Sequence, residues 1–258
     1  MSPMVLLSTA LAASTVTLVL YIRHWHGSLK TQVTSRSISA EERESACISR
    51  QLESLPQELL KSPENYRIIH ESDSVPLPPR INLNALSQDQ KEKLFTRLMQ
   101  RNMLLFSTYL PQSYLMRLLA RTPEQKASFS TSHIQHLDFK EGDLVNGFYR
   151  ILTRRSLRCE MGMAAPAKGL PESFGGRLIT CIAPAAPGEG QGSEEAEGEN
   201  EGWVLRTETL QWVRADEKMV LPLERGAIRW MHEFASWGLL VSGVRWLEDE
   251  VRKISEKR

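Results

Sequence analysis

The N-terminal part of the chain contains an uncharged stretch long enough to cross a membrane. Nineteen residues from Met4 to Ile22 carry no charged side chain. As a helix rising 1.5 Å per residue they would span about 28 Å, close to the roughly 30 Å hydrocarbon core of a bilayer. No other segment of the sequence has this composition. The pattern predicts a transmembrane helix, with residues 1–30 forming the anchor and its basic flank.

The residues around this stretch favour an anchor over a cleaved signal peptide. A signal peptide begins with basic residues and ends in small ones. Residues 1–3 carry no Lys or Arg, and the apolar run continues beyond the small residues around Ala12. Arg23, Lys30 and Arg36 follow the run, and basic flanks stay cytoplasmic. We therefore expect a single-pass membrane protein whose C-terminal domain is cytosolic, anchored through residues 4–22.

Composition places the remainder among ordinary globular domains. The chain is 41% hydrophobic and 24% charged with a net charge of +1, so it lacks the basic character of nucleic-acid-binding proteins. Cys47, Cys159 and Cys181 are odd in number and widely spaced. They therefore predict buried thiols in a reducing compartment, with neither a disulfide framework nor a CxxC motif.

Two segments of low apolar content interrupt this pattern. Residues 31–62 are polar, and Ser39 precedes Glu42 by three positions, which is a capping box that starts a helix. We predict a polar stalk with one short helix here, followed by a domain over residues 63–258. Within that domain, residues 187–202 contain six Glu, five Gly and no basic residue, a composition typical of a disordered loop.

Side-chain periodicity predicts two helices and a series of strands. Apolar residues recur at helical spacing after Ser87 and again after Pro111, and the resulting Met and aromatic stripe suits either a core face or the wall of a ligand cavity. Alternating stretches predict strands at Tyr66–His70, Leu144–Leu152, Ser156–Met163, Arg177–Ala183 and Gly202–Arg214. Gly142-Asp143 and Gly175-Gly176 are interpreted as turns.

Neither face of the last predicted strand is purely apolar. The odd positions from Trp203 to Val213 share one face and the even positions from Val204 to Arg214 share the other. This mixture suits a sheet that closes around a partly polar interior, or a half-exposed sheet.

Residues 223–257 predict a long C-terminal helix with an apolar centre, in which Gly238 and Gly243 permit close approach of a backbone or a ligand. Such a helix must cover the sheet, which gives an α+β fold.

Two stretches carry a resemblance to a known superfamily. Residues 141–152, EGDLVNGFYRIL, open a strand pair, and residues 230–234, WMHEF, open the last helix. Together with the order of elements, they resemble the helix-grip superfamily, also called START-like or polyketide cyclase-like. The chain is also similar to membrane-anchored accessory proteins of fungal polyketide biosynthetic clusters. The resemblance implies an antiparallel sheet gripped by a long C-terminal helix, with an apolar cavity between them.

This resemblance implies a function in fungal secondary metabolism. A cyclase-like member would promote ring or pyrone (lactone) formation on a hydrophobic polyketide by positioning it, without a cofactor, and a polyketide synthase would be a candidate partner. His232 and Glu208 are then the acid/base candidates. The ligand-binding candidates are Tyr149, Arg206, Trp212 and Phe234. The alternative is a non-catalytic protein that binds or transfers a lipid or hydrophobic metabolite at a membrane.

Each candidate also has a purely structural interpretation. Glu208 and Arg206 would serve equally as a solvent-facing ion pair, and His232 as an exposed helical residue. His133 and His136 lack a third ligand at a diagnostic spacing, so we predict no metal site. The sequence contains no nucleophile elbow, Walker loop or dinucleotide-binding motif.

Overall fold

An antiparallel sheet with a long helix across it dominates the molecule. The computed structural model describes residues 17, 20–38, 52, 54–163, 171–185 and 202–256. In this part of the chain seven strands form one antiparallel sheet, and the C-terminal helix packs on one face of it. The predicted α+β class, antiparallel sheet and long C-terminal helix are thus confirmed.

The sheet has the strand order β1-β2-β7-β6-β5-β4-β3. Its longest strand pair is β2 and β7, which align from Tyr66 opposite Arg214 to Pro76 opposite Val204. The strands are β1 Thr34–Ser37, β2 Tyr66–Pro76, β3 Leu144–Val145, β4 Tyr149–Arg155, β5 Arg158–Met163, β6 Gly175–Pro184 and β7 Trp203–Arg214.

The described helices are unequal in length. Two long ones, α3 and α7, pack against each other, and α7 also contacts β2 and β7. The helices are α1 over residues 20–30, α2 Gln57–Lys61, α3 Gln88–Tyr109, α4 Pro111–Leu119, α5 Pro123–Ala127, α6 Thr131–Gln135 and α7 Gly226–Ser255. Three short 3-10 turns cover Pro63–Asn65, Leu83–Ala85 and Pro222–Glu224.

The N-terminal predictions fall mostly outside the described residues. This holds for most of the predicted membrane span, for the helix expected after Ser39, for Cys47 and for nearly all of the acidic loop 187–202. Within the described residues, none of the helices combines the length and the hydropathy that crossing a bilayer requires. Part of the predicted stalk contributes to the sheet, since β1 pairs with β2.

Local signals in the sequence explain where the helices begin. The Ser87 hydroxyl accepts a hydrogen bond from the Gln90 backbone N–H, and the Gln90 side-chain oxygen accepts one from the Ser87 backbone N–H, so α3 starts at a capping box. Pro111 begins α4, where its missing N–H costs nothing. The two amphipathic helices predicted from the apolar periodicity are therefore present.

The strand predicted over Leu144–Leu152 is interrupted by a turn. Asn146 and Gly147 have positive φ values of 49° and 64°, which places them in the left-handed region that an L-residue in a strand does not adopt. A Cβ at Gly147 would lie 2.5 Å from the Phe129 ring. The chain therefore folds back here and forms two strands, β3 and β4.

The two faces of the sheet carry cores of different size. The main core lies on the face covered by α3 and α7 and includes Leu98, Leu205 and Leu247, which are fully buried. On the opposite face a smaller cluster joins Ile179, Leu210 and Trp212 to Leu52 and Leu59. Because both faces are covered, the mixed faces predicted for β7 belong to a largely buried strand.

The turn predicted at Gly175-Gly176 is wrong, because these two residues begin strand β6. Gly175 faces the Trp212 ring, and a Cβ there would lie 2.3 Å from two of its atoms. The Arg177 guanidinium also lies over the Trp212 ring, 5.0 Å from the ring centroid. The glycine is required by this close approach.

Gly175→Ala is expected to lower the free energy of unfolding by about 1–3 kcal/mol, the usual effect of overpacking a filled site. Gly202→Ala is the matched control, because nothing lies within 4 Å of a Cβ at that position. Urea unfolding of both variants measures the difference. Equal stabilities would contradict the close packing of Gly175 on Trp212.

Candidate functional site

An apolar cavity lies between the helical face of the sheet, α3 and α7. It has a volume of about 80 Å³. Its wall combines methionine, leucine and aromatic side chains with five polar residues, Asn102, Thr180, Thr207, His232 and Ser236. It is lined by Met99, Asn102, Met103, Phe106, Tyr149, Leu178, Thr180, Thr207, His232, Ala235, Ser236, Leu239 and Leu240.

A second, larger cavity of about 230 Å³ adjoins the first. The two have five lining residues in common, namely Phe106, Tyr149, Leu178, His232 and Ala235. The second cavity extends toward α4 and the start of α7, where Gln112, Met116 and Ile228 line it. His232 and Tyr149 thus lie where the two cavities adjoin.

Helix α7 packs closely against α3 and β7 at Gly243, whereas the two cavities meet about two turns earlier along the helix. A Cβ at Gly243 would lie 3.0 Å from Leu205 Cδ2 and 3.4 Å from Leu98 Cδ1. Gly243 therefore brings α7, α3 and β7 into contact, as a helical glycine permits. It does not line either cavity, whereas Ala235, two turns earlier, lines both.

His232 is the titratable group best placed for chemistry in the cavity. Its Nε2 lies 3.0 Å from the Thr209 hydroxyl on β7. Burial lowers the pKa of the imidazole, and the negative charges of Asp73 and Glu233 oppose that effect only partly. His232 is therefore a neutral hydrogen-bonding group at neutral pH. Burial also raises the pKa of Tyr149 to about 12, so its phenol keeps its proton.

The lowered pKa makes stability depend on pH. Between the folded pKa and the usual value of 6.5, the unfolded chain binds the proton at His232 and the folded chain does not. The contribution of neutral His232 to the free energy of unfolding is therefore complete above about pH 6.5 and decreases as the pH falls. We expect the wild type to lose more unfolding free energy between about pH 7.5 and about pH 5.5 than His232→Gln does.

Urea titrations at both pH values test this expectation. The surface variant Gln135→Ala, which removes no titratable group, is the control and should lose as much unfolding free energy between the two pH values as the wild type. Equal losses in the wild type and His232→Gln would mean that His232 is not held neutral by burial.

Glu208 lies on the opposite face of the sheet from His232. It directly precedes Thr209, which faces His232, and successive strand residues point to opposite faces. Its Oε2 lies 3.1 Å from His70 Nε2. Burial alone would raise the pKa of Glu208, but the hydrogen bond and charge of His70 together with the charges of Arg206 and Arg158 outweigh it, so the pKa is lowered. The structure therefore does not bring the two acid/base candidates together.

The other ligand-binding candidates are also dispersed. Arg206 and Trp212 share the face of Glu208, where Trp212 packs in the smaller cluster. Phe234 is on the outer side of α7, in edge contact with Trp25 of α1 at 5.4 Å and stacked with Trp230 at 5.8 Å. Of the six candidates, His232 and Tyr149 line the cavity.

Most of the cavity wall was not singled out from the sequence. The signal was present in part, because Met99, Met103 and Phe106 belong to the Met and aromatic stripe that suited either a core or a cavity. Thr180 and Thr207 gave no signal. A buried pair also escaped notice: the Ser236 hydroxyl donates to Asp73 Oδ2 at 2.8 Å, and Asp73 is 4% exposed.

The described residues contain no group of three potential metal ligands close enough to hold an ion. His133 Nε2 lies 2.9 Å from the Leu144 carbonyl oxygen, and His136 Nδ1 lies 2.7 Å from that of Ser132. The pair considered for metal binding is thus engaged with the backbone.

Comparisons with other proteins leave the resemblance untested. No model of a protein family matches the chain, and neither a curated protein nor a solved structure matches it. Membership of the helix-grip superfamily stays a prediction. The functional argument therefore depends on the cavity and its residues.

Proposed function

We propose that the protein binds a hydrophobic small molecule in the space between its sheet and helices α3 and α7. The observation that carries this proposal is the apolar wall of the two adjoining cavities, with a neutral imidazole and a phenol at their junction. Small-molecule sites typically combine an apolar wall with a few polar groups that orient the ligand. Their usual volumes begin near 300 Å³, about the size of these two cavities together.

The polar groups define the chemistry of the ligand. The Tyr149 phenol is a hydrogen-bond donor, and the neutral imidazole of His232 has one donor and one acceptor nitrogen. No Lys or Arg lines the smaller cavity. The ligand that fits is mainly hydrocarbon and carries a carbonyl or hydroxyl group, as lipids and polyketides do.

We place this function at a membrane. The uncharged residues 4–22 support an anchor, and α1, which begins at residue 20 within that run, is fixed to α7 by aromatic contacts through Trp25 and His26. Arg23 and Lys30 support a cytosolic body. A hydrophobic ligand held there would move between a bilayer and a protein cavity without crossing water.

Ring closure on a polyketide is the second candidate function, and one observation favours it. His232 is neutral and borders the cavity, which is the state that a general base requires. Glu208 has no role in this proposed cyclisation, because it lies on the opposite face of the sheet. Tyr149 is the group available to donate a hydrogen bond to a developing enolate. A polyketide synthase would then supply the substrate.

Titration with cis-parinaric acid, a fluorescent conjugated fatty acid, tests the binding function. We expect saturable binding of one molecule per chain, competed by other long-chain acids. A protein that stays folded and shows no saturable binding of this probe or of conjugated polyketones would contradict the proposal.

His232→Gln separates the two functions. For a carrier, the variant keeps probe binding and the metabolite profile of the producing strain. For a cyclase, it keeps probe binding but leads to accumulation of an uncyclised polyketide, measured by mass spectrometry. An unchanged metabolite profile in the strain that carries His232→Gln would refute the cyclase function.

A further inference from the structure

We propose that an exposed apolar surface on α4 rests on the lipid bilayer, beside the point where the N-terminal anchor joins the body. This inference depends on the proposed membrane attachment but not on ligand binding. We call it the α4 surface, and it consists of Tyr114, Leu115, Leu118 and Leu119 of α4 together with Tyr109, the last residue of α3.

The α4 surface is unusual in its exposure. Its five side chains are each at least half exposed, and Leu118 is 83% exposed. Four further large apolar residues with substantial exposure lie on α1 or at the start of α7: Leu20, Tyr21, Trp25 and Trp230. Of the eleven exposed large apolar side chains in the described residues, nine thus lie on α1, on α4 and the end of α3, or at the start of α7. Such a concentration marks a surface that contacts a partner or a membrane.

The direction of α1 shows where the anchor joins the body. Trp25 contacts Phe234, and further along both helices Gln32 accepts a hydrogen bond from Arg245. The two helices therefore run parallel. Residue 20 lies near the N-terminal end of α7, and the uncharged residues that precede it connect to the body at that end.

α4 lies at the same end of α7. Arg97 in the middle of α3 pairs with Glu250 near the end of α7, and one turn later Arg101 donates to the Ser242 hydroxyl, so α3 runs antiparallel to α7. The chain then enters α4, where the Gln112 amide donates to the Met231 carbonyl oxygen. Both α1 and α4 therefore contact the stretch of α7 between residues 230 and 234.

The chemistry of this end suits a bilayer interface rather than a protein partner. Tyr and Trp are enriched where a membrane meets water, and here they include Tyr21, Trp25, Tyr114 and Trp230. Arg121 and Arg225 are exposed at the same end, and basic side chains beside an apolar helix face bind anionic headgroups. Met116 and Ile228, which line the larger cavity, lie at this end as well.

Site-specific fluorescence on the full chain tests the α4 surface. Cys47→Ser provides the background, since Cys159 and Cys181 are buried. An NBD label is placed at Leu118→Cys, at Leu20→Cys beside the anchor, or at Lys93→Cys on α3. Lys93 is exposed and lies at the opposite end of the molecule. The protein is reconstituted in phosphatidylcholine and phosphatidylglycerol vesicles, with nitroxides on the acyl chains as one quencher and iodide in the water as another.

We expect the labels at positions 118 and 20 to be quenched by the acyl-chain nitroxides, and the label at position 93 only by iodide. If position 20 is quenched but position 118 is open to iodide, the α4 surface is refuted and the anchor stands. If the acyl-chain nitroxides quench neither the label at position 118 nor the label at position 20, both the α4 surface and the membrane anchor are refuted. A label at position 118 that is shielded from both quenchers means that protein covers α4, which also refutes the proposal.

Discussion

Ala235→Phe is expected to weaken binding of cis-parinaric acid by roughly tenfold or more while the protein stays folded. Ala235 lines both cavities and is 5% exposed. Its side chain faces the empty space beside His232, so a phenyl ring there would occupy volume that the ligand needs. Because the ring enters a cavity rather than a filled core, the strain of overpacking is avoided.

Ala85→Phe is the matched control for this variant. Ala85 is exposed in the short turn Leu83–Ala85, just before α3, at the far end of the molecule from the larger cavity. The control should bind the probe as the wild type does. If Ala235→Phe binds with unchanged affinity and the same unfolding midpoint as the control, the probe does not occupy this space.

Leu98→Ala is expected to lower the free energy of unfolding by about 2–5 kcal/mol, as large-to-small changes in a close-packed core do. Leu98 is fully buried on α3 and meets α7 at Gly243. This contact fixes the separation of α3 and α7, so its loss removes both apolar burial and the packing that holds the cavity open.

Leu118→Ala is the control, measured by urea unfolding followed through tryptophan fluorescence. It makes the same chemical change on the neighbouring helix, where the side chain is 83% exposed. Its free energy of unfolding should change by less than about 0.5 kcal/mol. A comparable loss in the two variants would contradict the assignment of Leu98 to the core.

The elements with strong periodicity were predictable from the sequence. The boundaries of α3, α4, β7 and α7 lie close to the predicted ones because a capping box, a proline and apolar spacing mark them. β2 continues six residues beyond the predicted His70. Its second half contains Glu71, Asp73 and other polar residues, which local propensity assigns to a loop. Pairing with β1 and β7 on both sides decides otherwise.

The site was predictable only in part, and the reason lies in β7. Alternation correctly grouped Arg206, Glu208 and Trp212 on one face and Thr207 with Thr209 on the other. Both faces mix polar and apolar residues, so the sequence does not tell which face α7 covers. The contact between His232 and Thr209 decides it, and it separates His232 from Glu208.

The most direct test of the central claim is photo-crosslinking with a fatty acid that carries a diazirine on its chain, followed by peptide mapping. We predict adducts on the cavity wall, in residues 99–106 of α3, 178–180 of β6 and 232–240 of α7, and their loss in Ala235→Phe but not in Ala85→Phe. Saturable adducts confined to the opposite face of the sheet, around His70 and Glu208, would contradict a ligand site between the sheet and α7.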